Sequence, residues 1–155
     1  MDPRHDEALD KVLELTVVLG EDMRRSFERD GLSPARAHLL WALHQSGPST
    51  QRLLADTLGV SPRNITGLVD GLETSGLVVR RRHPTDRRAT LVGLTDDGAR
   101  LAGEMARGKA ELATGLFASL SARELEQLTA TLGGVIERLK AMVAEATEGE
   151  TEEAQ

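Results

Sequence analysis

Residues 50–75, TQRLLADTLGVSPRNITGLVDGLETS, decide how this 155-residue chain folds. The stretch predicts two helices joined by a tight turn, because Gly59 suits a helix end and Ser61-Pro62 suits a helix start. Two helices joined by a short turn that contains glycine have the layout of a helix-turn-helix. The apolar residues of the second helix recur at helical spacing and predict one buried stripe. They are Ile65, Leu68, Val69 and Leu72.

The opposite face of that second helix carries polar side chains close to its start. Arg63 and Asn64 lie at the end that contacts bases when such a helix enters a major groove. Arginine can bond guanine through two hydrogen bonds, and asparagine can bond adenine in the same way. The helix alone leaves open the alternative of an ordinary amphipathic surface helix, because helical pairs are common.

A basic hairpin is predicted to follow. The segments LVVRR (77–81) and ATLVGLT (89–95) are rich in β-branched residues and predict two strands with HPTDRR at the tip. Five of the nine residues in RRRHPTDRR (80–88) are arginine, although the chain has a formal net charge of -6. Arginines from 80 to 82 can meet phosphates, and Arg87 can enter a minor groove. The alternative is a solubilising edge hairpin, since charges commonly protect strand edges.

Within this tip, Asp86 is predicted to hold a neighbouring guanidinium through a charge-assisted hydrogen bond. That contact would reduce the conformational entropy that an arginine loses when it binds DNA. Pro84 is expected to stiffen the turn for the same purpose. The hairpin is therefore interpreted as a phosphate-binding wing.

Helices are predicted on both sides of this region. The first runs from Pro3 or Asp6 to Arg29, and another runs from the cap Thr95 to about Leu120. Ser121 and Glu124 have the spacing of a capping box, and a near-heptad seam follows them. The fold class predicted is mainly α with a small β-hairpin wing, in one domain over 1–144. Residues 145–155 are expected to form an acidic, frayed tail, because they have few apolar side chains.

Composition excludes several other classes of function. The chain has no cysteine, so disulfides and cysteine-ligated zinc are excluded, and a cytoplasmic location is expected. No signal-peptide core and no membrane-spanning stretch is present, so no membrane partner is expected. The four histidines do not cluster, and no catalytic or phosphate-loop motif occurs, so we expect no metal, no cofactor and no enzyme activity. A winged-helix module for protein–protein assembly and a small-molecule binding protein without an operator remain as alternatives.

The runs SxxNITGLVDGLETSGLVxR (61–80) and HPTDRRATLVGLTDDG (83–98) resemble the MarR family of winged helix-turn-helix regulators. The family motifs span about 33–101, the predicted DNA-binding part. The resemblance implies a homodimer built from helices at about 3–30 and 102–144. It also implies a repressor that binds double-stranded DNA at a palindromic operator and is released by a small-molecule effector. With the basic hairpin, it predicts DNA contacts at Ser61, Arg63, Asn64, Thr66, Arg80, Arg82, His83, Thr85, Asp86, Arg87 and Arg88.

Two further features accompany the resemblance. Gly67 and Gly71 occupy positions where many relatives carry arginine, so this helix is less basic than theirs. Trp41 is the only tryptophan, and its commonest role would be packing in the core or at the dimer interface. The rival interpretation is an effector pocket between the dimerisation and DNA-binding parts. Its predicted lining is Met23, Phe27, His38 and Trp41.

Overall fold

The protein, seen in a computed structural model, is described over residues 3–82, 85 and 89–153, with the backbone alone from 147 to 153. Helices dominate, and a small antiparallel sheet interrupts them, as the sequence predicts. In chain order the elements are α1 (Pro3–Arg29), α2 (Pro34–Ser46), β1 (Ser49–Thr50), α3 (Gln51–Leu58), α4 (Pro62–Thr74), β2 (Val78–Arg82), β3 (Thr90–Leu94), α5 (Asp96–Phe117) and α6 (Ala122–Glu153).

The predicted hairpin is confirmed, and it belongs to a sheet with the strand order β1-β3-β2. β2 and β3 pair antiparallel from Val78 opposite Leu94 to Arg82 opposite Thr90. The strand β1 was not predicted: Ser49 lies buried and pairs with Val92, and Thr50 pairs with Leu91. A strand of two residues is too short to show the alternation by which strands are recognised in a sequence.

Capping residues begin and end the helices where the sequence places them. The hydroxyls of Ser33, Thr50 and Ser61 each accept a hydrogen bond from the amide three residues later, which satisfies a donor that has no partner inside the helix. Gly59 follows α3 in the left-handed conformation, with φ +64°, which glycine adopts without steric cost. These caps fix the lengths of α2, α3 and α4.

The hydrophobic core lies under the helix-turn-helix. Among the described residues, the buried apolar side chains all fall between Leu32 and Ala102. The stripe predicted on α4 is confirmed, with Leu68 as its most exposed member. The fully buried large side chains come from α2, α3, α4 and the sheet. They are Leu39, Leu40, Leu43, Leu54, Ile65, Leu72, Val69, Val78 and Val92.

The N-terminus of α5 docks on the turn between α4 and β2. Thr95 donates its hydroxyl hydrogen to the Gly76 carbonyl at 2.7 Å, and its amide donates to the Leu77 carbonyl at 3.1 Å. A Cβ atom at Gly98 would lie 1.9 Å from that same Leu77 carbonyl oxygen, so only glycine fits. The LTxxG run at 94–98 thus has a structural reason, because both Thr95 and Gly98 hold the turn that leads into the wing.

The chain divides into two compact units, residues 1–107 and 108–155. In the second unit the predicted capping box is present: the Ser121 amide donates to Glu124 at 2.8 Å, and the Glu124 amide donates to the Ser121 hydroxyl at 3.3 Å. The hydrogen bonds from Ser121 lower the pKa of the Glu124 carboxyl, so this cap stabilises the helix at neutral pH and weakens in acid. Helical backbone continues to Glu153, inside the segment predicted as an acidic tail.

None of the described helices combines the length and the apolar composition that a membrane span requires. α1 buries no residue, and large apolar side chains stay exposed along both α1 and α6.

We expect Gly98→Ala to destabilise the protein by about 1–3 kcal/mol, because the new methyl group must push the Leu77 carbonyl away. Gly103→Ala is the matched control in the same helix, since its Cβ would lie 3.9 Å from the nearest atom, Nη1 of Arg107. The control should gain up to about 1 kcal/mol from the higher helix propensity of alanine. Chemical denaturation of both variants measures the difference, and equal stabilities would contradict the docking described for α5.

Candidate nucleic-acid interface

The first turn of α4 presents the residues predicted to read bases. The Ser61 hydroxyl accepts from the Asn64 amide at 3.2 Å, which holds the start of the helix in place. Arg63 and Asn64, two and three residues after the cap, are both exposed. Every exposed residue of α4 is polar, glycine or proline, because the apolar stripe is turned into the core. The helix therefore offers a polar surface whose leading end carries an arginine and an asparagine.

Thr66 differs from its neighbours, because its hydroxyl already has two partners. The hydroxyl donates to the Pro62 carbonyl at 2.9 Å and accepts from Nε2 of Gln51 at 3.1 Å. The side chain is still exposed. Its single donor is therefore already used, and the side chain can offer a base one acceptor lone pair and its methyl, which suits the methyl of thymine.

Arg80 of β2 joins the wing to α4. Its guanidinium forms ion pairs with Asp70 and Glu73 of α4, and its backbone amide donates to Oε1 of Glu73 at 3.2 Å. Nε of the same side chain donates to Oε1 of Gln51 at 3.4 Å. One arginine thus connects α3, α4 and β2, while Gln51 connects this cluster to Thr66.

The charge of Arg80 is permanent, and the pairs it forms are partly exposed. Partial burial lowers the pKa of Arg80, but its hydrogen bonds and charge interactions with Asp70 and Glu73 outweigh that effect and raise the pKa overall. The side chain is 25% exposed, and the two carboxylates are more so. Pairs of this kind contribute about 1 kcal/mol or less to stability. The cluster therefore matters more for the position of the hairpin than for the stability of the fold.

The remaining wing residues are only partly within the described chain. Arg82 is exposed, pairs with Thr90, and lies on the same side of β2 as Arg80, because side chains alternate along a strand. Thr85 is exposed. The other predicted wing contacts, His83, Asp86, Arg87 and Arg88, lie outside the described residues, as does Pro84.

On its other flank α4 faces the start of α2. A shallow groove of about 350 Å³ lies there, between Ala35 of α2 and the glycine-containing face of α4. Gly67 has nothing within 4 Å of a Cβ position, whereas a Cβ at Gly71 would lie 2.2 Å from Nη2 of Arg36. The two glycines, which look alike in the sequence, therefore differ in their surroundings. The groove is lined by Ala35, Val60, Arg63, Asn64, Gly67 and Leu68.

The residues predicted to bind an effector are spread over environments of different kinds. Phe27 packs against the core and Trp41 is half-buried, whereas Met23 and His38 are exposed. The Trp41 ring lies 5.8 Å from the ring of His44, tilted by 36°. The groove beside α4 contains none of these residues. Among the residues that the structure describes, no cluster of histidines and carboxylates is arranged to hold a metal ion.

Sequence reasoning missed four residues of this surface: Gln51, Asp70 and Glu73 in the cluster around Arg80, and Arg36 beside Gly71. Asp70 and Glu73 lie inside the quoted motif, but nothing in the sequence indicates that they pair with Arg80. Arg80 is ten residues from Asp70 and seven from Glu73 along the chain. One pattern could have indicated Asp70 and Glu73: two acidic residues are unexpected on a helix that otherwise suits contact with negatively charged DNA.

A helix-turn-helix whose second helix is braced by a β-hairpin is a winged helix-turn-helix, the fold of many DNA-binding regulators. The model of the MarR family matches residues 32–90. Among curated relatives, the HTH-type transcriptional repressor YetL of Bacillus subtilis is 30% identical over 122 residues, covering 76% of this chain and 71% of YetL. The HTH-type transcriptional regulator MhqR of the same organism is 28% identical over 130 residues, covering 79% of this chain and 90% of MhqR.

Solved structures agree on the fold. The YusO protein of Bacillus subtilis has a TM-score of 0.70 at 24% identity, over 88% of this chain and 96% of YusO. FabT of Streptococcus pneumoniae, solved in complex with DNA, has a TM-score of 0.74 at 20% identity, over 90% of this chain and 98% of FabT. The chain belongs to the MarR family of DNA-binding transcriptional regulators. The predicted family is confirmed, and membership of a family of regulators agrees with the prediction that the protein is not an enzyme.

We expect Glu73→Gln to weaken DNA binding, although it removes a negative charge from the DNA-binding surface. Loss of the carboxylate leaves the guanidinium with Asp70 as its one paired acid and loosens the hairpin from α4, which raises the entropy lost on binding. Glu104→Gln, which removes the carboxylate paired with Arg100 on α5, is the control for net charge. Fluorescence anisotropy with duplex DNA measures both variants. Tighter binding with a steeper salt dependence would show instead that Arg80 is used for phosphate contact, as the sequence predicts.

Proposed function

We propose that the protein is a sequence-specific transcriptional repressor that acts in the cytoplasm as a homodimer on a palindromic operator. The observation that carries the proposal is the pairing of an exposed Arg63 and Asn64 at the start of α4 with a basic strand fastened to the same helix. The complex of the structural neighbour FabT with DNA supports the DNA-binding part of the proposal. The relative YetL is a transcriptional repressor, which supports the direction of regulation.

In this proposal α4 enters the major groove with its N-terminus leading. Arg63 bonds guanine and Asn64 bonds adenine through the groove edges of those bases, while the Thr66 methyl meets an apolar group. Ser61 and the first turn of α4 lie near a phosphate, where the helix dipole favours negative charge. Arg82, His83, Thr85, Asp86, Arg87 and Arg88 form the proposed wing contact.

The surface argues for a DNA contact over the alternative of an assembly module. A module for protein–protein contact needs a large apolar patch beside Arg63. The exposed part of α4 is polar instead, and the exposed large apolar side chains of the described chain are concentrated on α1, α5 and α6. The polar surface suited to DNA and the apolar surfaces suited to subunit contact are therefore carried by different helices.

Dimerisation through the first and last helices rests on those apolar surfaces. In α1, Leu13 is 54% exposed and Val17 is 69% exposed, and in α6 Leu139 is 58% exposed. Leaving side chains of this size in water forgoes about 1.5–3 kcal/mol for each, which a partner copy recovers. Two coupled copies present two α4 helices to half-sites one helical turn apart.

The effector part of the proposal places a small molecule beside Phe27 and Trp41, with Met23 and His38 at its edge. An aromatic side chain that is half-buried next to exposed polar groups suits an amphipathic ligand. Binding there would release DNA only if the ligand favours a conformation in which the two α4 helices no longer match the half-sites.

We expect Arg63→Ala to lose discrimination between operator and random duplexes by about 1–3 kcal/mol, because the bidentate guanine contact disappears. The operator would be found by footprinting the DNA that flanks the coding region of the protein. Arg100→Ala, on α5, removes an exposed arginine and serves as the control for net charge. Equal losses on operator and random DNA would assign Arg63 to a phosphate rather than to a base.

We expect Leu13→Glu to dissociate the dimer, because it places a charge in the apolar stripe of α1. Lys11→Glu introduces the same side chain on the other side of the helix, where Lys11 pairs with Glu14, and should leave the dimer intact. Sedimentation equilibrium at micromolar concentration gives the mass of each form. A monomeric wild-type protein, or a Leu13→Glu variant that stays dimeric, would contradict the assigned interface.

A further inference from the structure

We propose that Arg36 of α2 is a phosphate contact in the DNA complex, presented beside α4 because Gly71 lacks a side chain. The inference rests on the proposed function and adds to it a binding residue outside the helix-turn-helix pair and the wing. It assigns different roles to Gly71 and Gly67.

The side chain of Arg36 contacts α4 at Gly71. A Cβ atom on Gly71 would lie 2.2 Å from Nη2, 2.7 Å from Cζ and 2.8 Å from Nε of Arg36. The guanidinium therefore lies directly against the α4 backbone, in the space that any other residue at 71 would fill. Gly67, one turn earlier, has open space at its Cβ position and is not needed to admit a neighbour.

Several arginines of the chain have carboxylate partners, and Arg36 is compared with them. Arg80 on the other flank of α4 is paired with two carboxylates, and Arg24, Arg25 and Arg100 are each paired with glutamates. For Arg36, the described residues supply neither an ion pair nor a side-chain hydrogen bond. A guanidinium that lies on a helix without a carboxylate keeps its five donors for another acceptor.

The position of Gly71 on α4 indicates where Arg36 lies relative to the bases. Gly71 follows Asn64 by seven residues, so the two share one side of α4 and are about 10 Å apart along its axis. The major groove of B-DNA is about 12 Å wide. With Asn64 at the bases, a cation about 10 Å farther along α4 lies toward the sugar-phosphate edge of the groove. The groove beside α4 lies on this same flank, lined by Arg63, Asn64 and Gly67.

A phosphate, and not a base, is the partner that this geometry favours. Arg36 approaches from α2, whereas the helix that lies in the major groove in helix-turn-helix complexes is the second of the pair, which is α4 here. Phosphate contacts fix the register of a protein on the duplex without reading sequence. Arg36 should therefore contribute equally to operator and random DNA, unlike Arg63.

The test combines Arg36→Ala, Arg36→Lys, Gly71→Ala and the double variant Arg36→Ala/Gly71→Ala in the full-length protein. Gly71→Ala is informative because only the far end of a flexible side chain must move, so the helix should stay folded while the guanidinium is displaced. Log affinity is measured against log salt on operator and random duplexes, and thermal unfolding is measured for every variant. Arg100→Ala is the control for loss of one positive charge.

The expected result has three parts. Arg36→Ala and Gly71→Ala each weaken binding about three- to tenfold on both DNAs, and each reduces the salt slope by about 0.9 per protomer, the value for one phosphate. Arg36→Lys keeps most of the slope. The double variant is no weaker than Arg36→Ala alone, because Gly71→Ala acts only by displacing Arg36.

Other outcomes overturn the inference. An unchanged salt slope in Arg36→Ala does so, and so does a loss of binding that follows a fall in unfolding temperature, since either result makes Arg36 a packing residue. Additive losses in the double variant would show that Gly71 acts independently. A wild-type protein that binds no duplex with measurable salt dependence would overturn the proposed function as well, so the two failures are distinguishable.

Discussion

The burial of one apolar stripe on α4 is the constraint on which the rest of the structure depends. Ile65, Val69 and Leu72 are almost fully buried, and burial of such side chains stabilises by about 1.5–3 kcal/mol for each. The partly exposed ion pairs of Arg80 contribute about 1 kcal/mol or less. The stripe therefore sets the rotation of α4 about its axis, and the polar contacts on its flanks adjust what surrounds it. With that rotation fixed, Arg63 and Asn64 must face outward.

The two flanks of α4 treat arginine in opposite ways. On the wing side, Asp70 and Glu73 neutralise Arg80 and use it to fasten β2 to the helix. On the α2 side, Arg36 lies against Gly71 with no carboxylate supplied by the described residues. One cation thus holds two elements of the fold together, while the other is left to bind an acceptor outside the protein. The same side-chain type serves a positioning role or a binding role according to whether an acid lies beside it.

Much of this arrangement follows from local rules that a sequence displays. Ser61-Pro62 and Gly59 mark the turn of the helix-turn-helix because capping and left-handed geometry act over three or four residues. The strand β1 escaped prediction since its pairing with Val92 joins residues more than forty positions apart. The sequence predicts the end of α5 at about Leu120, three residues late, because a hydrogen-bonded turn from Phe117 to Leu120 replaces the last helical turn. Contacts such as Arg80 with Asp70, or Arg36 with Gly71, depend on how elements pack, and no pattern in the chain encodes them.

The acidity of the chain also has a physical consequence for DNA binding. A formal net charge of -6 repels a duplex as a whole, yet charges separated by more than about 8 Å are largely screened at physiological salt. Local arginines can therefore bind phosphate at short range, while the protein gains little from long-range attraction. Non-specific affinity comes from the same short-range phosphate contacts, so the number of arginines that reach the backbone sets it more than the net charge does. Because occupancy of an operator depends on the ratio of specific to non-specific binding, an acidic chain with a few well-placed arginines favours discrimination over total affinity.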